Sequence, residues 1–210
     1  MKNVDDKRLQ VKRTVLDARE MRRVLRRMAV ELIERERDLD QLQLVGILTR
    51  GRPLAERLAD EIEAIEGIRP PLGHLDITFY RDDLSAIGPQ PVVKASHLPG
   101  PVEGQTVVLC DDVLFTGRTV RAALDVLNDY GRPRAVRLAV LVDRGHRELP
   151  IQPDYAGKMV PTARSEHVVV GFEDTDGEDF VRLSERLDAD RGTFGAGAST
   201  TDEAPGDADT

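Results

Sequence analysis

Short apolar runs and amphipathic stretches alternate along this chain. Residues 42–48, 107–110, 135–142 and 168–170 are apolar runs with many β-branched members. Runs of that length and composition read as buried strands. Residues 75–80 alternate apolar and polar positions and read as another strand. Between the runs the period changes to that of a helix. Asp17, with Glu20 three positions on, makes a capping-box-like start. Met21, Val24, Leu25, Met28, Leu32 and Ile33 then fall on one helix face. Leu54, Leu58, Ile62 and Ile65 repeat the pattern after Pro53, which suits a first helical turn. Val120, Ala123, Leu124 and Leu127 mark a third helix that ends near Tyr130, with Gly131 as its stop signal. Strand, short loop and helix in succession predict an α/β fold with a mainly parallel central sheet flanked by helices. Ligands of such sheets sit at the carboxyl ends of the strands.

The predicted layout is a loose, charged N-terminal segment (1–15), one domain (16–187) and a disordered tail (188–210). The tail holds six acids and one base among Gly, Ala, Ser and Thr. It carries most of the formal net charge of −8, so the body is only mildly acidic and global charge does not announce a nucleic-acid binder. The single cysteine, Cys110, excludes an internal disulfide and reads as a small core residue. No signal peptide or membrane span is evident, so a cytoplasmic protein with no membrane partner is expected. Residues 174–178 fail the spacing of a calcium loop and read as a turn. Phe180 begins the segment that closes the fold.

Candidate chemistry concentrates in residues 106–124, TVVLCDDVLFTGRTVRAAL. An apolar strand leads into Asp111 and Asp112, and Thr116, Gly117, Arg118 and Thr119 open a helix. A helix N-terminus with unpaired N–H groups suits a phosphate. Gly117 permits close backbone approach, and the threonine hydroxyls add donors. Two adjacent carboxylates beside that cradle fit ribose hydroxyls, a metal, or a centre that becomes positive. A ribose 5-phosphate whose C1 bond breaks with oxocarbenium character meets those requirements.

This stretch resembles the phosphoribosyl-pyrophosphate (PRPP) signature of type I phosphoribosyltransferases, with Asp111, Asp112, Thr116, Gly117 and Thr119 matching position by position. YRDDLS at 80–85, VGILTRG at 45–51 and LAVLVDRGHRELPI at 138–151 extend the resemblance to the PyrR family, bifunctional pyrimidine operon regulators and uracil phosphoribosyltransferases. It implies a type I phosphoribosyltransferase fold with a flexible lid loop after residue 80 and a small C-terminal hood. It implies PRPP and uracil as substrates, UMP as product, and catalysis by Asp111 and Asp112. Thr49, Arg50, Gly51 and Arg81 would hold pyrophosphate. Val113, Leu114, Phe115 and the residues 116–119 would hold the ribose phosphate, Arg144 would border the nucleotide, and the backbone at Val168 would read the uracil edge. Mg2+ would be bound chiefly by substrate oxygens, with Asp111 and Asp112 as the protein's contribution. The sequence RGHRELP argues against a purine specificity.

The resemblance also implies leader RNA of the pyrimidine operon as a partner, and a homo-oligomer. Arg26, Arg27, His146 and Lys158 match positions of the RNA face, whereas Val30 and Gln152 replace polar or basic residues there. Read from the residues alone, Arg22, Arg23, Arg26 and Arg27 also fit a solvated helix face, and His146 fits a hydrogen-bonded structural histidine. The alternative to a regulator is a salvage enzyme that has lost RNA binding.

Overall fold

Three of the apolar runs, 42–48, 107–110 and 135–142, supply strands of one five-stranded parallel sheet in the computed structural model, which describes residues 9–80 and 95–187. The strands are β2 (Leu42–Ile47), β3 (Leu72–Leu75), β4 (Thr106–Leu114), β5 (Ala135–Asp143) and β6 (Tyr155–Met159). Their order across the sheet is β3-β2-β4-β5-β6, every pair parallel. Alternation along β4 divides the core. Val108 and Cys110 pack with α1 (Ala18–Arg35) and α2 (Gly51–Glu66), whereas Val107 and Leu109 pack with α3 (Arg118–Asn128) on the other face. Helices therefore cover both faces, which is why the central strands read as continuous apolar runs rather than alternating ones.

Asp17 caps α1 as the sequence predicts. Its carboxylate accepts the Glu20 N–H at 2.8 Å, and Glu20 returns the bond to the Asp17 N–H at 2.9 Å. Met21, Leu25, Met28 and Leu32 are buried. Also from α1, Arg27 donates to the carbonyls of Ala156 and Gly157, and Arg35 donates to that of Asp154. These guanidinium groups cover carbonyls along β6, the outer strand of the sheet.

A second sheet forms the hood. It consists of β1 (Leu9–Leu16), β7 (Glu166–Gly171) and β8 (Phe180–Arg186), antiparallel in the order β1-β8-β7. A four-residue helix, α4 (Glu173–Asp176), joins β7 to β8. Val170, Phe172, Val181 and Leu183 continue the core under α1 and α2.

Three expectations are corrected. Residues 9–15, expected to be loose, belong to β1. Only Val15 and Leu16 of that strand are buried, so its pattern is mostly that of an exposed charged segment. Residues 75–80, expected as a strand, contain only the last residue of β3, and Thr78–Tyr80 form a 3-10 turn. Asp76 starts that turn by accepting both the N–H and the hydroxyl of Thr78. The short helix at Glu173–Asp176 stands where a turn was expected. The lid segment and the tail lie outside the described residues.

Candidate active site

The strand β4 does not stop before its acids; it runs through Asp111 and Asp112 to Leu114. Asp111 is buried, and its carboxylate accepts the Asp112 N–H at 3.0 Å. The Asp112 carboxylate accepts the Val113 N–H at 2.9 Å. Burial pushes the Asp112 carboxyl above its ordinary range, opposed by the positive charge of Arg50 and by these hydrogen bonds. After Leu114 the chain turns into α3. The helix is preceded by Gly117 at φ +93, a left-handed conformation that favours glycine. No side chain caps the helix and no acid lies in its first turn. Thr116 Oγ1 accepts only a long bond, 3.4 Å, from the Arg118 N–H. The start of α3 thus has the donors and the polarity for an anion.

A second loop approaches the same strand end. Thr49, Arg50 and Gly51 join β2 to α2, and the Leu48–Thr49 peptide is cis. Gly51 lies so close to β4 that a Cβ there would stand 2.0 Å from the Cys110 carbonyl oxygen. The Arg50 guanidinium forms a two-point pair with Asp176 of the hood, at 2.5 and 3.0 Å. Burial would raise the Asp176 carboxyl, but the Arg50 and Phe172 hydrogen bonds and the Arg50 charge hold it below its ordinary value.

The charged run after β5 braces the site from the other side. Arg144 is buried, donates to the Ala163 carbonyl at 3.0 Å, and stacks on Phe115 with its guanidinium carbon 4.1 Å from the ring centre. Burial lowers the Arg144 guanidinium from its ordinary value, with the charge of Glu166 acting the other way. His146 sits edge-on to Phe115 and its Nε2 meets the Thr162 carbonyl at 2.7 Å. A carbonyl only accepts, so this nitrogen carries the hydrogen. Arg147 was not singled out by the sequence pattern, yet its guanidinium donates to the carbonyls of Phe115 and Ile151 and to Asp143. The Glu148 and Leu149 N–H groups both bond the Thr116 carbonyl. The run therefore shapes the loop that precedes α3.

The structure brings together Asp111, Asp112, Thr49, Arg50 and Gly51, and joins Leu114, Phe115, Thr116, Gly117 and Arg118 to the run containing Arg144. Arg118 pairs with Glu148 at 2.9 Å. Thr119 is half-buried in the first turn of α3, Val113 pairs with Val142 across β4 and β5, and Val168 is half-buried on the hood strand β7. Arg81 lies outside the described residues. Of the positions matched to an RNA face, Arg27 holds the carbonyl of Gly157, the residue before Lys158. Lys158 is exposed on β6, and Arg26 is exposed beside Glu61 at 3.6 Å. His146 lies apart from them, against Phe115. Val30 is exposed and Gln152 is exposed.

Residues 12–175 match the phosphoribosyl transferase domain family. Among curated proteins, the chain is 54% identical over 172 residues to the Bifunctional protein PyrR of Deinococcus radiodurans, covering 82% of this chain and 94% of that one. It is 56% identical over 178 residues to the Bifunctional protein PyrR of Thermus thermophilus, covering 85% and 98%. Among solved structures, the hypoxanthine phosphoribosyltransferase of Trypanosoma cruzi aligns with a TM-score of 0.64 at 16% identity, covering 84% of this chain and 98% of that one. At that identity the likeness shows the fold alone.

Proposed function

Because the chain belongs to the PyrR family of phosphoribosyltransferases, we propose that it transfers the phosphoribosyl group of PRPP to uracil, giving UMP and pyrophosphate. One observation carries this reading. The uncapped start of α3, the pair Asp111 and Asp112, and the loop Thr49–Arg50–Gly51 all converge at the carboxyl ends of β2 and β4. The first suits the 5-phosphate, the second the ribose hydroxyls, and the third the pyrophosphate. Uracil N1 forms its bond to C1 as the C1–O bond to pyrophosphate breaks; the electron pair leaves with pyrophosphate, and the N1 proton passes to the departing pyrophosphate or to water. Asp111 and Asp112 stabilise the positive charge that builds on the ribose. The backbone at Val168 offers the uracil edge a donor and an acceptor, and Arg144 closes the nucleotide side.

The carboxyl of Asp112, whose ionisation burial opposes, fits a site completed by a cation. Asp111 and Asp112 would be the chain's oxygen ligands to Mg2+, the remainder coming from PRPP. Such an ion would offset the negative charge of the pyrophosphate. The described residues contain no helix long and apolar enough to cross a membrane, and the reading requires none. The test is a steady-state assay of UMP formation from uracil and PRPP, with hypoxanthine, guanine and orotate as competitors. Uracil-specific turnover abolished by EDTA supports the reading; turnover with a purine instead would sink it.

A second activity has its own observation. Arg26 and Arg27 are exposed on α1, Arg27 holds the carbonyl of Gly157 on the outer strand β6, and the next residue, Lys158, is exposed. We propose that this face meets the phosphates of pyrimidine leader RNA, with UMP in the nucleotide site setting the affinity. Fluorescence anisotropy with leader RNA, with and without UMP, tests it across a salt series. Binding strengthened by UMP and weakened by salt supports a regulator. Binding no tighter than to a scrambled RNA leaves the salvage enzyme alone.

A further inference from the structure

Two arginines two turns apart on α2 are each held by the hood, but by differently placed acids. Arg57 Nη1 donates to Asp179 at 2.6 Å, and its guanidinium lies 5.4 Å from the Phe172 ring centre, against the core. Arg50 stands at the helix start, where α2 meets β4, and is gripped at two points by Asp176. Asp176 is itself anchored, because its Oδ2 also accepts the Phe172 N–H at 2.9 Å. Phe172 is fully buried, so this anchor is set by the core and not by the loop.

The Arg57 pair ties the helix to the hood two turns further along α2. The Arg50 pair ties the hood to the one cation of the loop Thr49–Arg50–Gly51. A planar guanidinium bonded at two points to a fixed carboxylate loses both its rotation and its swing. We propose that Asp176 is a positioning residue, holding the Arg50 guanidinium in the orientation in which it meets the pyrophosphate of PRPP. This rests on the reading of that loop as the pyrophosphate site. Asp176 acts through Arg50 and touches no substrate. The arrangement is thus a carboxylate kept near a polyanion in spite of repulsion, because it fixes the cation that the polyanion needs.

The role has a signature that a merely structural acid lacks. Asp176→Asn keeps an acceptor for the Phe172 N–H but removes the charge and the second acceptor for Arg50. It should raise the KM for PRPP and the inhibition constant of pyrophosphate by about tenfold or more. The turnover number and the affinity for UMP, which has no pyrophosphate, should change less than about threefold. Asp179→Asn is the control for hood attachment: it should lower the melting temperature and leave the KM for PRPP in place. In an Arg50→Lys background, which cannot form the two-point pair, Asp176→Asn should add no further rise in KM. An unchanged pyrophosphate affinity in a folded Asp176→Asn enzyme overturns the positioning role. So does a tighter one, which would make Asp176 a competitor of the ligand. If the unaltered protein makes no UMP from uracil and PRPP, the enzymatic reading falls and this inference with it.

Discussion

Arg147 and Asp143 face each other across the turn that follows β5, with Nη2 donating to Oδ2 at 2.6 Å, and both side chains are largely buried. The same guanidinium donates to the Phe115 carbonyl at 3.0 Å. One side chain thereby connects the end of β5 to the loop before α3. Arg147→Met leaves the Asp143 charge buried without this partner and should cost about 3 kcal/mol of stability. Urea denaturation measures that, and the KM for PRPP should rise in parallel. A loss below about 0.5 kcal/mol, the usual range of an inert surface change, would show that the pair carries little.

Asp112→Asn separates catalysis from folding. Burial already disfavours the Asp112 carboxylate, so removing its charge should leave the substrate-free melting temperature unchanged or higher. Turnover should fall by about a hundredfold or more if the carboxylate stabilises a positive ribose. Near-normal UMP formation by the variant would refute the oxocarbenium argument.

Gly51→Ala tests the contact between the two loops. A Cβ at that position would stand 2.0 Å from the Cys110 carbonyl oxygen, which is backbone and cannot swing aside. The variant should be destabilised by about 2 kcal/mol or more, an overpacking cost, and should bind PRPP poorly because β4 and α2 must separate. Calorimetry and PRPP titration check both. A variant with unaltered melting and binding would mean that the contact is slack.

The Arg50–Asp176 pair predicts a pH dependence. The Asp176 carboxyl lies below its ordinary value in the folded chain, so the folded state releases this proton more readily than the unfolded chain. The pair's contribution is fully present above the ordinary carboxylate value, about pH 4, and is lost as pH falls through the lower folded value. The difference in stability between the unaltered protein and Asp176→Asn should therefore shrink from pH 6 to pH 3. A difference that stays constant over that range contradicts the ion pair.

Lys158→Ala and Arg26→Ala address the RNA face. Each should weaken leader-RNA binding and lower the slope of log affinity against log salt by about one, without changing UMP formation. A lost phosphate contact has that signature, whereas a folding defect would reduce both activities.

Much of this architecture was legible because it is local. The capping box at Asp17 and Glu20, the apolar run of β4 and the acids followed by Thr116, Gly117 and Thr119 are all read within a few residues of one another. The strand β1 was missed because only Val15 and Leu16 face the core, so no apolar alternation advertises it. Its pairing with β8 lies far away in sequence. The same distance hid Asp176, which pairs with Arg50 across 126 positions, and Arg147, whose role depends on carbonyls more than thirty positions earlier. Backbone acceptors leave no mark on a sequence. Residues 75–80 misled because alternation alone does not separate a strand from a 3-10 turn nucleated by Asp76.

The hood sheet has consequences for synthesis on the ribosome. Strand β8 lies between β1 and β7 and is made after both. A nascent chain that has not yet reached Phe180 can assemble the parallel sheet and the loop before α3, but β1 has no strand to pair with and Arg50 no finished hood around its partner. Val11 and the charged edge of β1 must wait, unpaired, for nearly the whole described chain to emerge. The charges along β1, including Lys12 and Arg13, keep that waiting strand from recruiting a wrong partner.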